Sequence, residues 1–485
     1  MALPAAGADR NKPIRTGCTH PKGTKLEVEL QGAGQAVAPA IAGEGALSVW
    51  VGLRASDHEM FRESMPVSYV ISMDDDPPGQ IPYLSVEAAT RHHGCWSNDE
   101  LETVVGGASF RPFLETLSDP ARPVNILCYH SLPELEWFAA SHSHVRVLAS
   151  PFALKRRFDD KFGFPSLLDA AGLPSIPSLV IPCSACDYKT LARELGPSLV
   201  GRLRIGASGN ATFRIRSAQD LFSLRLRFGD EPLALSPYLP GPSFNINGFI
   251  GKKVHLAPPS IQLIGEEPLA TTPFAYCGND FAAMSSLPEW LARNILDTSK
   301  RLGDELQKAG YHGVFGVDLL YHEQSKTLYA LEVNPRFQGS TPTLCRYHLS
   351  HGQQTLVHSF HAEPSQSQQL EPVNASMMLL HNRSNAPQTI ATHIPSGLYR
   401  YRWENDGFRL LPLAGDSAFP TQADQVLVRG CPQLGTTVSP QATLFRIEVL
   451  GSVLNPATLR LDANSNRLVR DMELLAWQKA PACAA

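Results

Sequence analysis

The sequence has no apolar run approaching the ~18–20 residues that a bilayer-spanning helix needs. Met1 is followed by neither the basic segment nor the apolar core of a signal peptide. A membrane role is therefore not expected, and a cytoplasmic location is. Excess charge of one sign is also missing. A formal net charge of -4 over 485 residues gives no general attraction to nucleic acid or anionic lipid, so neither is expected as a partner. Cysteines are few: nine are scattered along the chain, and an odd number cannot all pair within it, so they read as reduced thiols. Cys183-Ser-Ala-Cys186 has metal-ligand spacing, but no second pair follows for a structural zinc and no thioredoxin-like context surrounds it. Internal repeats are absent. So are a Gly-Lys-Ser/Thr phosphate loop, a Gly-x-Gly-x-x-Gly dinucleotide turn and a His-Glu-x-x-His zinc motif, and intervals such as His348-x-x-His351 read as ordinary polar histidines.

What is present is the composition of an ordinary folded protein, 43% hydrophobic and 18% charged. With domains of about 100–200 residues, such a length implies more than one unit. Residues 1–44, rich in Ala, Gly and Pro, read as a tail or loose cap, with Leu26, Val28 and Leu30 alternating as a short strand would. Residues 45–150 alternate short apolar runs (Leu47 to Val51, Val67 to Ile71, Val124 to Cys128, Val145 to Leu148) with stretches of helical length, the pattern of an α/β unit with a parallel sheet. Asp74-Asp75-Asp76 before Pro77-Pro78 reads as a solvated turn. A second unit begins near Pro151. It opens with a helix expected over Lys155 to Ala171, and Ser178 to Leu263 then reads as antiparallel strands with one short helix. At Ser286-Leu-Pro-Glu a capping box is expected to start a helix with Trp290, Leu291, Ile295, Leu302 and Leu306 on its buried face. Residues 362–372 read as a linker. Beyond them, strands flanking Asn405-Asp406-Gly407 predict a hairpin in a β-rich C-terminal unit, residues 373–485.

One passage carries chemistry. Gly313-Val-Phe-Gly-Val-Asp318-Leu-Leu-Tyr321 and Leu328-Tyr-Ala-Leu-Glu332-Val-Asn334-Pro-Arg336-Phe-Gln338 both alternate as strands around a polar turn. A turn centred on Ser325 sets Asp318 directly across from Glu332. Opposed like charges destabilise a sheet, so a fold that keeps them needs a cation between them or a proton on one. Magnesium suits: it takes oxygen ligands, commonly one or two carboxylates plus substrate phosphates, and Asn334 lies on the same face as Glu332. Arg336 would project nearby as a planar donor able to grip phosphate or carboxylate. On spacing alone a surface hairpin with ordinary charges is an equal reading.

Leu-Glu-Val-Asn-Pro-Arg-Phe-Gln, after a strand that bears an acid, resembles the metal-binding passage of ATP-grasp enzymes, including the biotin carboxylase-like and carboxylate–amine ligase branches. The resemblance covers about Pro151 to Tyr347. It implies that Asp318 and Glu332 bridge magnesium, that Asn334 completes the sphere, and that Arg336, with Arg346, steadies the acyl phosphate and its oxyanion. Asp160-Lys161 before Gly172-Leu-Pro is similar to the family's first nucleotide lysine, which would face the phosphates. Gly206-Ala-Ser208-Gly209-Asn-Ala-Thr212 fits a loop whose backbone N–H groups fold over ATP phosphates. Arg202 stands where many ATP-grasp proteins carry lysine. Leu235 to Gly241 resembles the segment that grips adenine, through Tyr238 and Leu239, while Ser236 and Ser243 occupy places where many relatives have glutamate for ribose. Asn245-Ile-Asn247-Gly, Pro259-Ser260-Ile-Gln262 and Tyr276-Cys-Gly-Asn-Asp280 are similar to peptide ligases of the pheganomycin type from natural-product pathways.

The resemblance thus implies an N-terminal α/β (pre-ATP-grasp) domain over 45–150 and a two-lobed α+β ATP-grasp core over 151–362, with a nucleotide lobe about 178–235 and a metal and hinge lobe about 236–362. The implied enzyme takes ATP with Mg2+, or Mn2+ in its place, and joins a small-molecule carboxylate to an amine, an amino acid or peptide, through an acyl phosphate. A homodimer is kept open as the assembly. Two other readings stand beside it: a different acceptor such as bicarbonate or a thiol, and a nucleotide-binding regulatory protein without turnover.

Overall fold

The computed structural model describes residues 45–478 except 108–109, 118, 207–208, 210, 361–369, 405–406 and 414–418. The strand expected at Leu26 to Leu30, Ser208, the Asn405-Asp406 turn and most of the linker lie outside the described residues.

Leu47–Gly52 is buried along its whole length, as a strand covered on both faces must be. It is the middle of a five-stranded parallel sheet ordered Tyr83–Ser85, Tyr69–Ser72, Leu47–Gly52, Val124–Cys128, Val145–Val147. The acidic run after the second strand departs from expectation. Asp74 and Asp76 are buried, because each meets backbone donors that water would otherwise serve: Asp74 accepts from Ala55 N, and Asp76 accepts from Gly430 N and the Ser396 hydroxyl.

The helix expected over Lys155 to Ala171 is two, Phe152–Phe158 and Phe164–Ala170. Asp160 interrupts it: its carboxylate accepts from Phe162 N and Gly163 N, local bonds that compete with helical ones. Lys161 therefore sits in a turn. Next comes a four-stranded antiparallel sheet ordered Leu179–Pro182, Pro232–Pro237, Leu199–Arg202, Thr212–Ile215, backed by two helices and not one, Tyr188–Leu195 and Ala218–Phe228. Cys183 and Cys186 are buried in its apolar core.

Three short strands, Gln388–Thr389, Thr437–Val438 and His92–His93, form a small sheet, and the rest form one of eleven strands. Its order is Thr327–Asn334, Gly313–His322, Ser243–Ile250, Ser260–Ile264, Tyr276–Asp280, Ala375–His381, Thr443–Leu450, Gln425–Arg429, Gly397–Glu404 and Gly407–Pro412, with Val254–Leu256 paired on Ser243–Ile250. Strands before and after the linker thus meet edge to edge, Gly278 opposite Met378. The helix Glu289–Lys308 covers one face with Leu291, Ile295, Leu302 and Leu306, but Trp290 is 46% exposed, its ring edge-on to Tyr321. No capping box starts this helix: the Ser286 hydroxyl bonds back to Ala283 O, and the Pro288 N-cap has no side-chain acceptor. Among the described residues no helix is long and apolar enough to cross a membrane.

Candidate active site

The hairpin Gly313–His322 / Thr327–Asn334 places Asp318 opposite Glu332, Val317 opposite Val333 and Gly316 opposite Asn334. A bulge beyond Asp318 shifts the register by one, so Leu319 faces Ala330. The alternation that buries Val317, Leu319 and Val333 on one side turns the two acids and Asn334 to the other, into a cavity of about 870 Å³. The cavity lies between the two antiparallel sheets and reaches the parallel one.

Asp318 is held by amides. Asn245 Nδ2 donates to Oδ1 at 2.6 Å, Gln262 Nε2 to the same oxygen at 3.0 Å, and Asn334 Nδ2 to Oδ2 at 3.0 Å. Asn245 also donates to Gln338 Oε1, and Gln338 Nε2 to Asn247 Oδ1 at 3.1 Å, so a buried polar network fixes the acid from behind. Burial, and then the charge of Glu332, push the Asp318 carboxyl up to about 7. Burial acts the same way on Glu332, but the Lys161 ammonium outweighs it, aided by Arg336 and Arg202, and holds that carboxyl below its usual range. The pair therefore rests with one acid charged and the other sharing a proton, the alternative to a bound cation.

Lys161 Nζ lies 2.9 Å from Glu332 Oε2 and donates to Gly206 O at 2.7 Å, tying the small-residue loop to the hairpin. Arg202 donates to Leu331 O at 3.0 Å. Arg336 is buried and paired with Asp159 Oδ1 at 3.0 Å, and Lys155 Nζ lies 3.3 Å from the same carboxylate. Burial opposes ionisation of Asp159, but Arg336, Lys155 and Lys161 together bring it down to about 2. Sequence reasoning missed Asp159 and Lys155, although Asp159 adjoins the Asp160-Lys161 pair that it singled out.

Arg202, Gly206, Gly209, Ser236, Tyr238, Leu239, Asp318, Glu332, Asn334 and Arg336 all line the cavity. Ser243, named with Ser236, lines it as well. Tyr238 is fixed by Arg214, whose guanidinium lies 3.1 Å from the ring centre, and by its N–H on Ser198 O. Gly209 has φ +80°, and a Cβ there would fall 1.9 Å from Phe274 O, so only glycine lets the loop approach that backbone. Arg346 is not among the lining residues. Its guanidinium is buried beneath the helix Thr341–Ser350, bonding Glu448 through Nε at 3.1 Å and through Nη2, with Glu59 at 3.8 Å. Such full commitment to structural acids corrects the expectation that it acts on the oxyanion.

The oxygen set of Asp318, Glu332 and Asn334 fits a hard divalent ion that keeps phosphate or water ligands, and among the described residues no cluster of three His, Cys, Asp or Glu side chains offers a rival site. Residues 174–340 match the ATP-grasp domain family. No curated protein matches the chain by sequence. Among solved structures, it is similar to biotin carboxylase of Campylobacter jejuni in its β,γ-ATP complex (TM-score 0.56, 13% identity, 84% of this chain and 88% of that one). It is also similar to the ATP-complexed carboxyaminoimidazole ribonucleotide synthase of Aspergillus clavatus (0.53, 14%, 84% and 94%) and to the L-amino acid ligase of Bacillus licheniformis (0.52, 15%, 89% and 98%). From its N-terminal parallel sheet to its antiparallel grasp sheets the chain has the mixed α/β ATP-grasp fold, with an ATP-grasp domain over residues 174–340.

Proposed function

We propose that the protein is an ATP-dependent ligase that activates a substrate carboxylate as an acyl phosphate and joins it to an amine, releasing ADP and phosphate. The observation that carries this reading is the register pairing of Asp318 with Glu332 at the wall of a nucleotide-sized cavity, beside Lys161 and Arg336. Asp318, Glu332 and Asn334 would hold magnesium, which, when bound, neutralises the polyphosphate charge that otherwise repels an incoming carboxylate.

The chain's own groups account for the remaining steps. Tyr238 and Leu239, with Ser236 beneath, form the adenine end, and the Gly206–Gly209 loop covers the phosphates with Lys161 and Arg202 as fixed cations. One oxygen of the acid attacks the γ-phosphorus as its bond to ADP breaks, and Arg336 is placed to grip the transferred phosphoryl group. The amine nitrogen then attacks the acyl carbon, phosphate leaves with its bridging oxygen, and the amine loses a proton. Arg336 can stabilise the tetrahedral oxyanion because Asp159 has already oriented it, so no reorganisation is needed at that moment. No side chain has to become covalently attached.

The test is phosphate release from ATP and magnesium against a panel of amino acids and small acids, read with product masses. Release that needs both an acid and an amine, with 18O passing from the labelled acid into phosphate, is the expected result. Nucleotide binding with no release under any pairing would sink the proposal.

A further inference from the structure

The cavity does not end at the acidic hairpin. It continues between the parallel sheet and the strand Thr443–Leu450, where Arg54, Arg429 and Arg446 join its wall. Arg446 is 1% exposed, and its Nη1 donates to Asp57 Oδ1 at 3.1 Å. Its Nε and Nη2 are buried and find no acceptor among the described residues. Leaving two donors of a desolvated guanidinium unmet is costly, and native proteins seldom tolerate it unless a ligand supplies the acceptors. Arg54 is half-buried and makes no ion pair among the described residues.

Four arginines gather here, Arg54, Arg346, Arg429 and Arg446, against three acids that pair with them, Asp57, Glu59 and Glu448. Arg54 has no such pair, though buried Asp74 lies within its electrostatic reach on the same wall. Half-buried Tyr276 also lines the cavity, within electrostatic reach of Arg446, Arg54 and Asp318. Both the acidic hairpin and the arginines therefore face one cavity.

We propose that this arginine end is a subsite for a second substrate carboxylate, one that is not activated, gripped by Arg446 and Arg54. The proposal rests on the ligase reading for its assignment to a substrate. Its occupant is the free carboxylate of an amino acid or peptide acceptor, or the far carboxylate of a diacid donor; both present the same planar anion, which a guanidinium binds by two parallel hydrogen bonds.

The test is equilibrium binding, so it does not depend on turnover. The full chain is titrated calorimetrically, with ADP and magnesium present, with L-amino acids and their amides in one arm and with C4–C5 diacids and their monoamides in the other. Removing Arg446 outright strands Asp57, so the variants are Arg54→Gln and the charge-conserving Arg446→Lys, which cannot form the fork. In one arm the wild type should favour acid over amide by at least about tenfold. Both variants should shrink that preference to roughly twofold or less while ADP affinity stays unchanged. The arm that responds identifies the source of the carboxylate. Equal binding of acids and amides in both arms, or a full preference surviving in Arg54→Gln, overturns the subsite. Absent phosphate release would instead defeat the ligase reading and leave the binding result standing.

Discussion

At the residue scale the site is a charge-balance problem in which two opposed acids are treated differently by their neighbours. Glu332 is kept ionised by Lys161, whereas Asp318, recessed among amides, is driven toward neutrality by burial and by its neighbour's charge. Glu332→Gln removes a proposed metal ligand and also strands the Lys161 ammonium. Phosphate release should fall by at least about a hundredfold while the circular dichroism spectrum stays native. Near-normal turnover would count against the assignment. A pH dependence follows from Asp318. A carboxyl must lose its proton to ligate a metal, so affinity for magnesium–nucleotide should be weak below pH 7, climb through about 7 and level off above it. Without metal the sign reverses for stability. The folded-state value lies above the unfolded one, so the native state binds the extra proton between about pH 4 and 7, and its stability is full below that window and lost as pH rises through it. Melting curves at pH 5 and 8, with and without magnesium, check both signs, and Asp318→Asn should flatten them.

At the scale of elements, two short structures set the geometry. The hairpin fixes the acid pair through register, since a slip of one residue would send Glu332 to the apolar face. Gly209 is the second, and under the proposed phosphate role of its loop Gly209→Ala should raise KM for ATP by about tenfold with little change in melting temperature, because the clash with Phe274 O lies in a loop and not in the core. Initial rates against ATP concentration decide it. The hairpin register was legible in the sequence because alternation and a polar turn are local signals, and the bulge after Asp318 was not, because one extra residue leaves the alternation on each side intact. Local competition also hid the break at Asp160: the periodicity of Lys155 to Ala171 looks helical, and only the side-chain bonds of Asp160 end it. Arg346 misled for a different reason. Its place on the helix after the motif was readable, but its partner Glu448 is a hundred residues away, and nothing local announces a buried ion pair of that separation.

At the scale of the whole molecule, the eleven-stranded sheet joins the hairpin that bears Asp318 and Glu332 to the C-terminal strands without an edge between them. Val70, Trp50 and Phe61 from the N-terminal part share an apolar cluster with Phe337 and Cys345, and the arginine-lined end of the cavity likewise draws on both Arg54 and the C-terminal Arg429 and Arg446. The sequence showed a linker and a change in strand content at this place but could not show that Tyr276–Asp280 pairs with Ala375–His381, because edge-to-edge pairing over such a span has no local signature. Ending the chain at residue 372 should expose Tyr276–Asp280 as a long unpaired edge and yield aggregated protein, measured by light scattering of the purified fragment. The most direct measurement is the anomalous scattering of manganese in crystals grown with ADP. The account predicts a peak touching both the Asp318 and the Glu332 carboxylates at about 2.1 Å, with the nucleotide phosphates on its other side. A peak elsewhere, or a nucleotide bound away from these two acids, would contradict it.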